Sequence, residues 1–423
     1  MSRPPRLRRL GSALVLLLLL AAGLLLAGDR WLTSLGGAFA HAPEDAEWLL
    51  TPTTRALVEA SYDGLGDTPQ VVDHWVHVFS RGDADNGNAS FLNPAAGDFW
   101  PFRHYVALRL LLGAGGVRDR SHLDERYPAR LMRQVRSLPH PHQLQLVGLD
   151  QRFDRDGRAQ PERTLAYVDN ERVAALAERY PEHLRAAVSI HPDRPHALAE
   201  INRWAGRDIR RIAWMPGLQG FDPADGRQEF YAAMAEQDMA LIVHVGAGPG
   251  LGLGEAAMGN PERLRPALAA GLKVTMVLGG ADGRYPDPQA QGRTVSATEL
   301  VLRMLREPEL EDQLTAVIGG VATRPHSRQA LSRLLQAPDL QGRLGYASVY
   351  PLPAVAAATN LGGLRDAGYL PDEATASLRE LYDLNPLLFD FVLKRQLRLP
   401  HTDLGFAPGV FTDDRDDEGA TAR

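Results

Sequence analysis

Cysteine is absent from the 423 residues, which removes disulfides, thiolate metal sites and a cysteine nucleophile together. Lysine occurs only as Lys273 and Lys394, so any chemistry that needs an amine has two places to find it. Neither sign of charge dominates. Lys and Arg number 46 against 52 Asp and Glu, a net charge of -6 spread along the chain, and no basic stripe marks a nucleic-acid surface. Long apolar runs are also missing, with one exception at residues 10–28, which are uncharged and rich in leucine. Arg3, Arg6, Arg8 and Arg9 precede that run, and Asp29 and Arg30 end it. At a 1.5 Å rise per residue it spans roughly 28 Å as a helix, about the hydrocarbon thickness of a bilayer. Basic residues stay on the cytoplasmic side. The expectation is therefore a single span in a bacterial inner membrane, with the rest of the chain on the periplasmic or outer side. The alternative is a signal peptide cleaved near Ala38-Phe39-Ala40, leaving a secreted or periplasmic protein.

Apolar residues make up 44% of the chain, enough for a large core. After the anchor or signal segment (1–30), residues 31–70 read as a connector with one helix around Thr54 to Tyr62. Eight short runs follow at 71–79, 143–149, 186–190, 209–215, 240–245, 273–278, 314–319 and 343–348, rich in Val, Ile and Leu. Such runs suit parallel strands covered on both faces. Helices fall between them with legible starts: Asn170, Asn260 before Pro261, and Ser296 with Glu299 as a capping box. Alternation at this count predicts an α/β fold, a closed (β/α)8 TIM-type barrel over residues 71–400, in preference to an open doubly wound sheet. Residues 80–139 interrupt the alternation as an insertion after strand 1, placed to cover the mouth. The glycine-dense stretch 246–259 lacks the spacing of a dinucleotide loop. Residues 401–423 read as a C-terminal tail, acidic and aperiodic from 413.

Five segments, in order, carry a resemblance. They are 71–79 (VVDHWVHVF), 189–196 (SIHPDRPH), 212–216 (IAWMP), 241–246 (LIVHVG) and 347–353 (ASVYPLP). They resemble the landmarks of the metal-dependent amidohydrolase-related family, the branch that includes decarboxylases and lactone hydrolases, over roughly residues 50–400. The resemblance implies a barrel whose first strand carries an Asp and then His-x-His. Further ligands would come from histidines on strands 5 and 6 and an Asp on strand 8, and strand 4 often carries a Lys. A divalent, zinc-like ion held there lowers the pKa of bound water or polarises a substrate carbonyl.

Against that pattern, Trp75 stands two residues before His77 where the first His is implied. His74 is adjacent, but alternation sends it to the other face unless a β-bulge rotates it inward. Ala213 replaces the strand 4 Lys, Leu278 the strand 6 His and Val349 the strand 8 acid. His77 and His244 are kept. His191 at the end of strand 3, Asp73 and Asp282 are the remaining polar candidates. Two histidines are too few for a tight divalent site without help. Each candidate also has a plainer reading: His244 as a hydrogen-bonded core residue, Trp75 as filler of lost volume, Asp73 as structural, Asp282 as a loop cap, and His140 and His142 as surface residues at the barrel bottom.

Read this way, the chain is an exported, membrane-anchored amidohydrolase-like protein without a metal centre. It carries no cofactor and binds a small-molecule ligand or protein partner at the barrel mouth. The alternative is an active metal-dependent hydrolase or decarboxylase with an unusual site built from His77, His191 and His244. If Trp75 shares strand parity with His77, both point inward together.

Overall fold

The computed structural model describes residues 35–37, 41–82, 88–93, 102–117, 122–248, 254–279, 282–323 and 328–412. The apolar run at 10–28, the candidate cleavage site at 38–40 and the acidic end from 413 lie outside them. Among the described residues, no helix is long and apolar enough to cross a membrane.

Eight strands run parallel: β1 (Val71–His77), β2 (His142–Val147), β3 (Leu184–Ala187), β4 (Arg211–Trp214), β5 (Ala240–Val245), β6 (Val274–Leu278), β7 (Leu314–Ile318) and β8 (Leu344–Tyr346). All eight overlap the runs expected from sequence, the third by only two residues. They pair as two sheets, one ordered β1-β2-β3 and one β8-β7-β6-β5-β4. Single parallel bridges join the sheet edges at both ends, Val188 with Ile212 and Val76 with Tyr350. The architecture is a mixed α/β fold of parallel sheets.

Side-chain alternation sorts the strands into two layers. Ile212 and Trp214 of β4, Val243 and Val245 of β5 and Met276 and Leu278 of β6 pack in one cluster with helix residues Ile201, Trp204 and Met234. The residues between them face the other way. Ala213, Ile242, Val277, Val317, Ala347 and Val349 form a separate cluster with Trp75 and Val147, drawn from strands or the turns just after them. This is the interior between the sheets.

Helix ends follow the sequence signals with small shifts. Asp169, one residue before the expected Asn170, caps Asn170–Arg179 through a bond from the Glu171 N–H. Ser296 accepts the Glu299 N–H at the start of Ala297–Met304. The insertion after β1 contributes the helices Phe102–Ala114 and Leu123–Arg136. The expected tail is ordered further than composition suggested: Phe406, Val410 and Phe411 are buried in the main core, and Phe411 packs on Tyr346 of β8. His142 is a correction too. It is buried at 3% exposure and hydrogen-bonded to the Tyr62 hydroxyl at 3.0 Å, because the connector helix Pro52–Ser61 ends over it.

Candidate functional site

The pairing of β1 with β2 slips between Asp73 and Val76, where three steps on β1 match two on β2. This is a β-bulge, and it changes which side chains of β1 face inward. Trp75 and His77 share the interior side. His74 does not take the opposite face that simple alternation predicts. A Cβ placed on Gly345 of β8 would meet both the His74 ring, at 3.2 Å, and Val317 of the interior cluster, at 3.1 Å. The bulge thus turns His74 inward as well, toward β7 and β8.

Trp75 is fully buried and its indole N–H donates to Nε2 of His77 at 3.1 Å. An indole nitrogen can only donate, so Nε2 of His77 supplies its lone pair and the ring proton sits on Nδ1. Burial holds the His77 pKa down to about 3, with the nearby His244 pushing the same way. The Trp75 ring also meets His244 edge-on, at 6.2 Å between centroids. Trp75, His77 and His244 are therefore brought together. Burial lowers His244 to about 4, the Gly279 backbone beside its ring pulling the other way. Its Nε2 finds no hydrogen-bond partner among the described residues.

Asp73 lies beneath this group at 1% exposure. Its Oδ1 accepts the backbone N–H of Trp75 at 3.2 Å and of Ser348 at 2.9 Å. It clips the bulge of β1 to the chain after β8. Burial raises its pKa to about 7 against the lowering effect of these donors. The next residue, Val349, carries a φ of +56°, a left-handed conformation that a β-branched residue rarely takes and Asp or Asn tolerates better. Its side chain fills the interior beside Gly319.

The other candidates are placed elsewhere. Nδ1 of His191 accepts the Asp193 N–H at 3.1 Å, leaving Nε2 to donate to the Gln219 carbonyl at 3.3 Å; the ring lies between Phe153 and Phe221. Both nitrogens are engaged within its own loops. Asp282 accepts the N–H and hydroxyl of Thr298, each at 2.7 Å, at the start of a helix. Ala213 faces the interior. Leu278 does not: it belongs to the helix-facing layer with Val245 and Met276, because β6 turns Val277 inward. The inward position after Val277 is Gly279, where a Cβ would lie 2.5 Å from Nε2 of His244. Counting parity from Val277 identifies Gly279 from the sequence.

Sequence reasoning also missed Asp150, three residues beyond the end of β2. It is buried at 2% exposure and accepts the His191 N–H and an Arg194 bond at 2.8 and 2.9 Å. Burial raises its pKa to about 6, opposed mainly by Arg194. Ion pairs of Arg152 with Glu255, Arg227 with Asp193 and Arg263 with Asp222 cross-link the loops that follow β2 to β5. The rim at the strand C-terminal ends is thus tied together.

His77 and His191, as they are held here, do not fit a resident divalent ion, whereas Nε2 of His244 is unengaged among the described residues. A ligand histidine offers a lone pair to the metal. That of His77 is taken by Trp75, and both nitrogens of His191 are engaged. Among the described residues, no group of three His, Cys, Asp or Glu is placed to hold a metal.

Residues 72–342, more than half of the chain, match the sequence model described as Amidohydrolase. No curated protein matches the chain closely enough to count as a relative. Among solved structures, the chain is similar to a 2-pyrone-4,6-dicarboxylic acid hydrolase assignment from Pseudomonas putida at 17% identity and a TM-score of 0.40, covering 76% of this chain and 97% of that one. A protein of the same description from Acinetobacter baumannii, with citric acid bound, is similar at 11% identity and a TM-score of 0.36, covering 66% and 84%. An N-acetyl-D-glucosamine-6-phosphate deacetylase from Mycobacterium smegmatis is similar at 18% identity and a TM-score of 0.29, covering 82% and 80%. At these identities and scores the three likenesses decide nothing about activity.

Proposed function

The chain belongs to the amidohydrolase family, and from that premise we propose that it is an exported, membrane-anchored member whose metal centre has been dismantled and whose remaining role is binding. The observation that carries this reading is the Trp75 to His77 hydrogen bond at 3.1 Å. One substitution removes a ligand, fills the volume of the ion and its water, and occupies the lone pair of the ligand that remains. Burying an ion beside Val277, Val317 and Val349 would cost several kcal/mol without compensating charge. The two bridged sheets support closure as one (β/α)8 barrel. Binding is assigned to the C-terminal face of the strands, where loops build sites in this architecture, where β1 ends at His77 and where ion pairs cross-link the loops after β2 to β5. Apolar walls with few polar groups favour an uncharged or partly apolar ligand, or a protein partner.

The second reading, a hydrolase using His77, His191 and His244, finds no support in their geometry, since His191 is spent on its own loops.

The test is to restore the family pattern. Trp75→His with Val349→Asp frees the His77 lone pair and adds a carboxylate at a backbone position that suits it. Measured by competition with a chromophoric chelator, the double variant is expected to bind zinc at least about tenfold more tightly than the parent. Equal, weak binding by a folded double variant would mean that these positions do not converge. Anchoring through residues 10–28 is tested separately by a reporter fused after residue 40. It should be active only outside the cytoplasm and remain in the membrane fraction; a soluble chain starting near His41 would replace the anchor with a cleaved signal.

A further inference from the structure

The loop after β6 folds back as an antiparallel hairpin, Arg284–Pro286 with Thr294–Ser296. It is stitched to the body by Tyr285, whose hydroxyl donates to the Ala256 carbonyl at 2.9 Å, and by a small core of Tyr285, Val295, Ala297 and Leu300. Between this hairpin, the helix Ala297–Met304 and the helix Arg328–Leu335 lies a cleft of about 190 Å³, lined among others by Arg284, Arg293, Arg303 and Arg333. That volume is far above the roughly 10–15 Å³ that one water needs.

The charges in the cleft do not balance. Arg303 donates to Asp287 at 2.9 Å and to Glu299 at 3.0 Å. Arg333 reaches the same Glu299 only at 3.9 Å. Arg284 spends its guanidinium on Thr294, at 3.2 Å to the hydroxyl and 2.6 Å to the carbonyl. Neither Arg284 nor Arg293 forms an ion pair among the described residues. Four guanidinium groups thus face two carboxylates, an excess of two positive charges held on a braced hairpin.

We propose that this cleft is a binding site for a phosphate group of a phosphate monoester or a lipid headgroup. Guanidinium forks match phosphate oxygens two at a time, and the excess charge equals that of a phosphate dianion. Arg284, Arg293 and Arg333 are exposed, so the group that carries the phosphate can extend into solvent. Arg303 is the brace, because its two carboxylate partners fix it; Arg293 and Arg333 are the groups left to close on the ligand. The site is separate from the interior around Trp75, and it stands whether or not the metal centre has been lost.

The test uses the full-length chain in neutral detergent. Inorganic phosphate and phenyl phosphate are titrated calorimetrically in one arm. In the other, the chain is reconstituted into phosphatidylcholine vesicles with and without phosphatidic acid, and headgroup proximity is read by energy transfer from a dye on an introduced cysteine at the exposed Gln336 (Gln336→Cys), just beyond the helix Arg328–Leu335 and outside the cleft lining. Saturable binding in the first arm identifies a soluble phosphate; a signal that depends on phosphatidic acid, without free-phosphate binding, identifies a lipid headgroup. In either case Arg293→Ala with Arg333→Ala is expected to weaken binding at least about tenfold, the loss of charge-assisted hydrogen bonds, with an unchanged circular dichroism spectrum. Binding in neither arm, or binding that the double variant retains at parental strength, would overturn the proposal. Arg293→Lys with Arg333→Lys keeps the charge and loses the forks, and an intermediate affinity is expected.

Discussion

The indole N–H of Trp75 lies 3.1 Å from Nε2 of His77, on the same strand and the same side of it. Replacing the indole by a ring without a donor tests what this bond contributes. Trp75→Phe leaves Nε2 of His77 without its donor and opens a small cavity. It is expected to cost about 1–3 kcal/mol, and Trp75→Ala about 3–5 kcal/mol, read from denaturant midpoints at constant slope. Wild-type stability in Trp75→Phe would show that the bond is incidental.

Gly279 and His244 form the second pair. A Cβ at residue 279 would come within 2.5 Å of Nε2 of His244, so Gly279→Ala must push the ring. The expected cost is about 1–3 kcal/mol, the range for overpacking a filled core. In a His244→Ala background the same substitution should cost much less, and the coupling in a double-mutant cycle should exceed about 0.5 kcal/mol. Additive effects would place the His244 ring elsewhere.

Stability should respond to acid through buried histidines. Burial lowers His244 to about 4 and His142 to about 3, below the ordinary value of 6.5. Between about pH 4 and 6.5 the unfolded chain binds protons that the folded chain does not. The stability they contribute is complete above pH 6.5 and is lost as pH falls toward the folded values, by up to about 1.4 kcal/mol per pH unit for each histidine. Asp73 works in the opposite direction. Its pKa is raised from 3.8 to about 7 by burial, so its contribution is complete below 3.8 and is lost as pH rises to 7. Asp73→Asn keeps an oxygen to accept the Trp75 and Ser348 N–H groups. Unfolding midpoints across this range should show a shallower acid arm in His244→Gln and a smaller loss toward neutrality in Asp73→Asn. Parallel curves for all three proteins would contradict the assigned environments.

The strands were legible because parallel strands covered on both faces are written as short aliphatic runs, and all eight appear where those runs lie. Trp75, Ala213 and Val349 were legible as inward positions because two-residue alternation holds for them. Two things were not. The β-bulge between Asp73 and Val76 inserts one residue, so that His74 faces inward beside Trp75; the bulge was the alternative to simple alternation, and nothing in VVDHWVHVF decides between the two. Leu278 was placed in the interior by its motif position, whereas parity from the buried Val277 gives that place to Gly279. His142 was read as surface because it precedes a strand; the connector helix that covers it comes from a segment whose docking no local pattern encodes. The partners of His191 and Asp150 are loop groups, brought together by the rim and not by any spacing along the chain.

Metal content of the full-length chain, purified without chelators and analysed by mass spectrometry, tests the proposed loss of the metal centre most directly. The structure leads us to expect no zinc, manganese or iron in stoichiometric amount, and no change between the parent and His244→Ala. About one equivalent of metal per chain, the content of an intact mononuclear site, lost in His244→Ala together with ester or amide hydrolysis, would contradict the account.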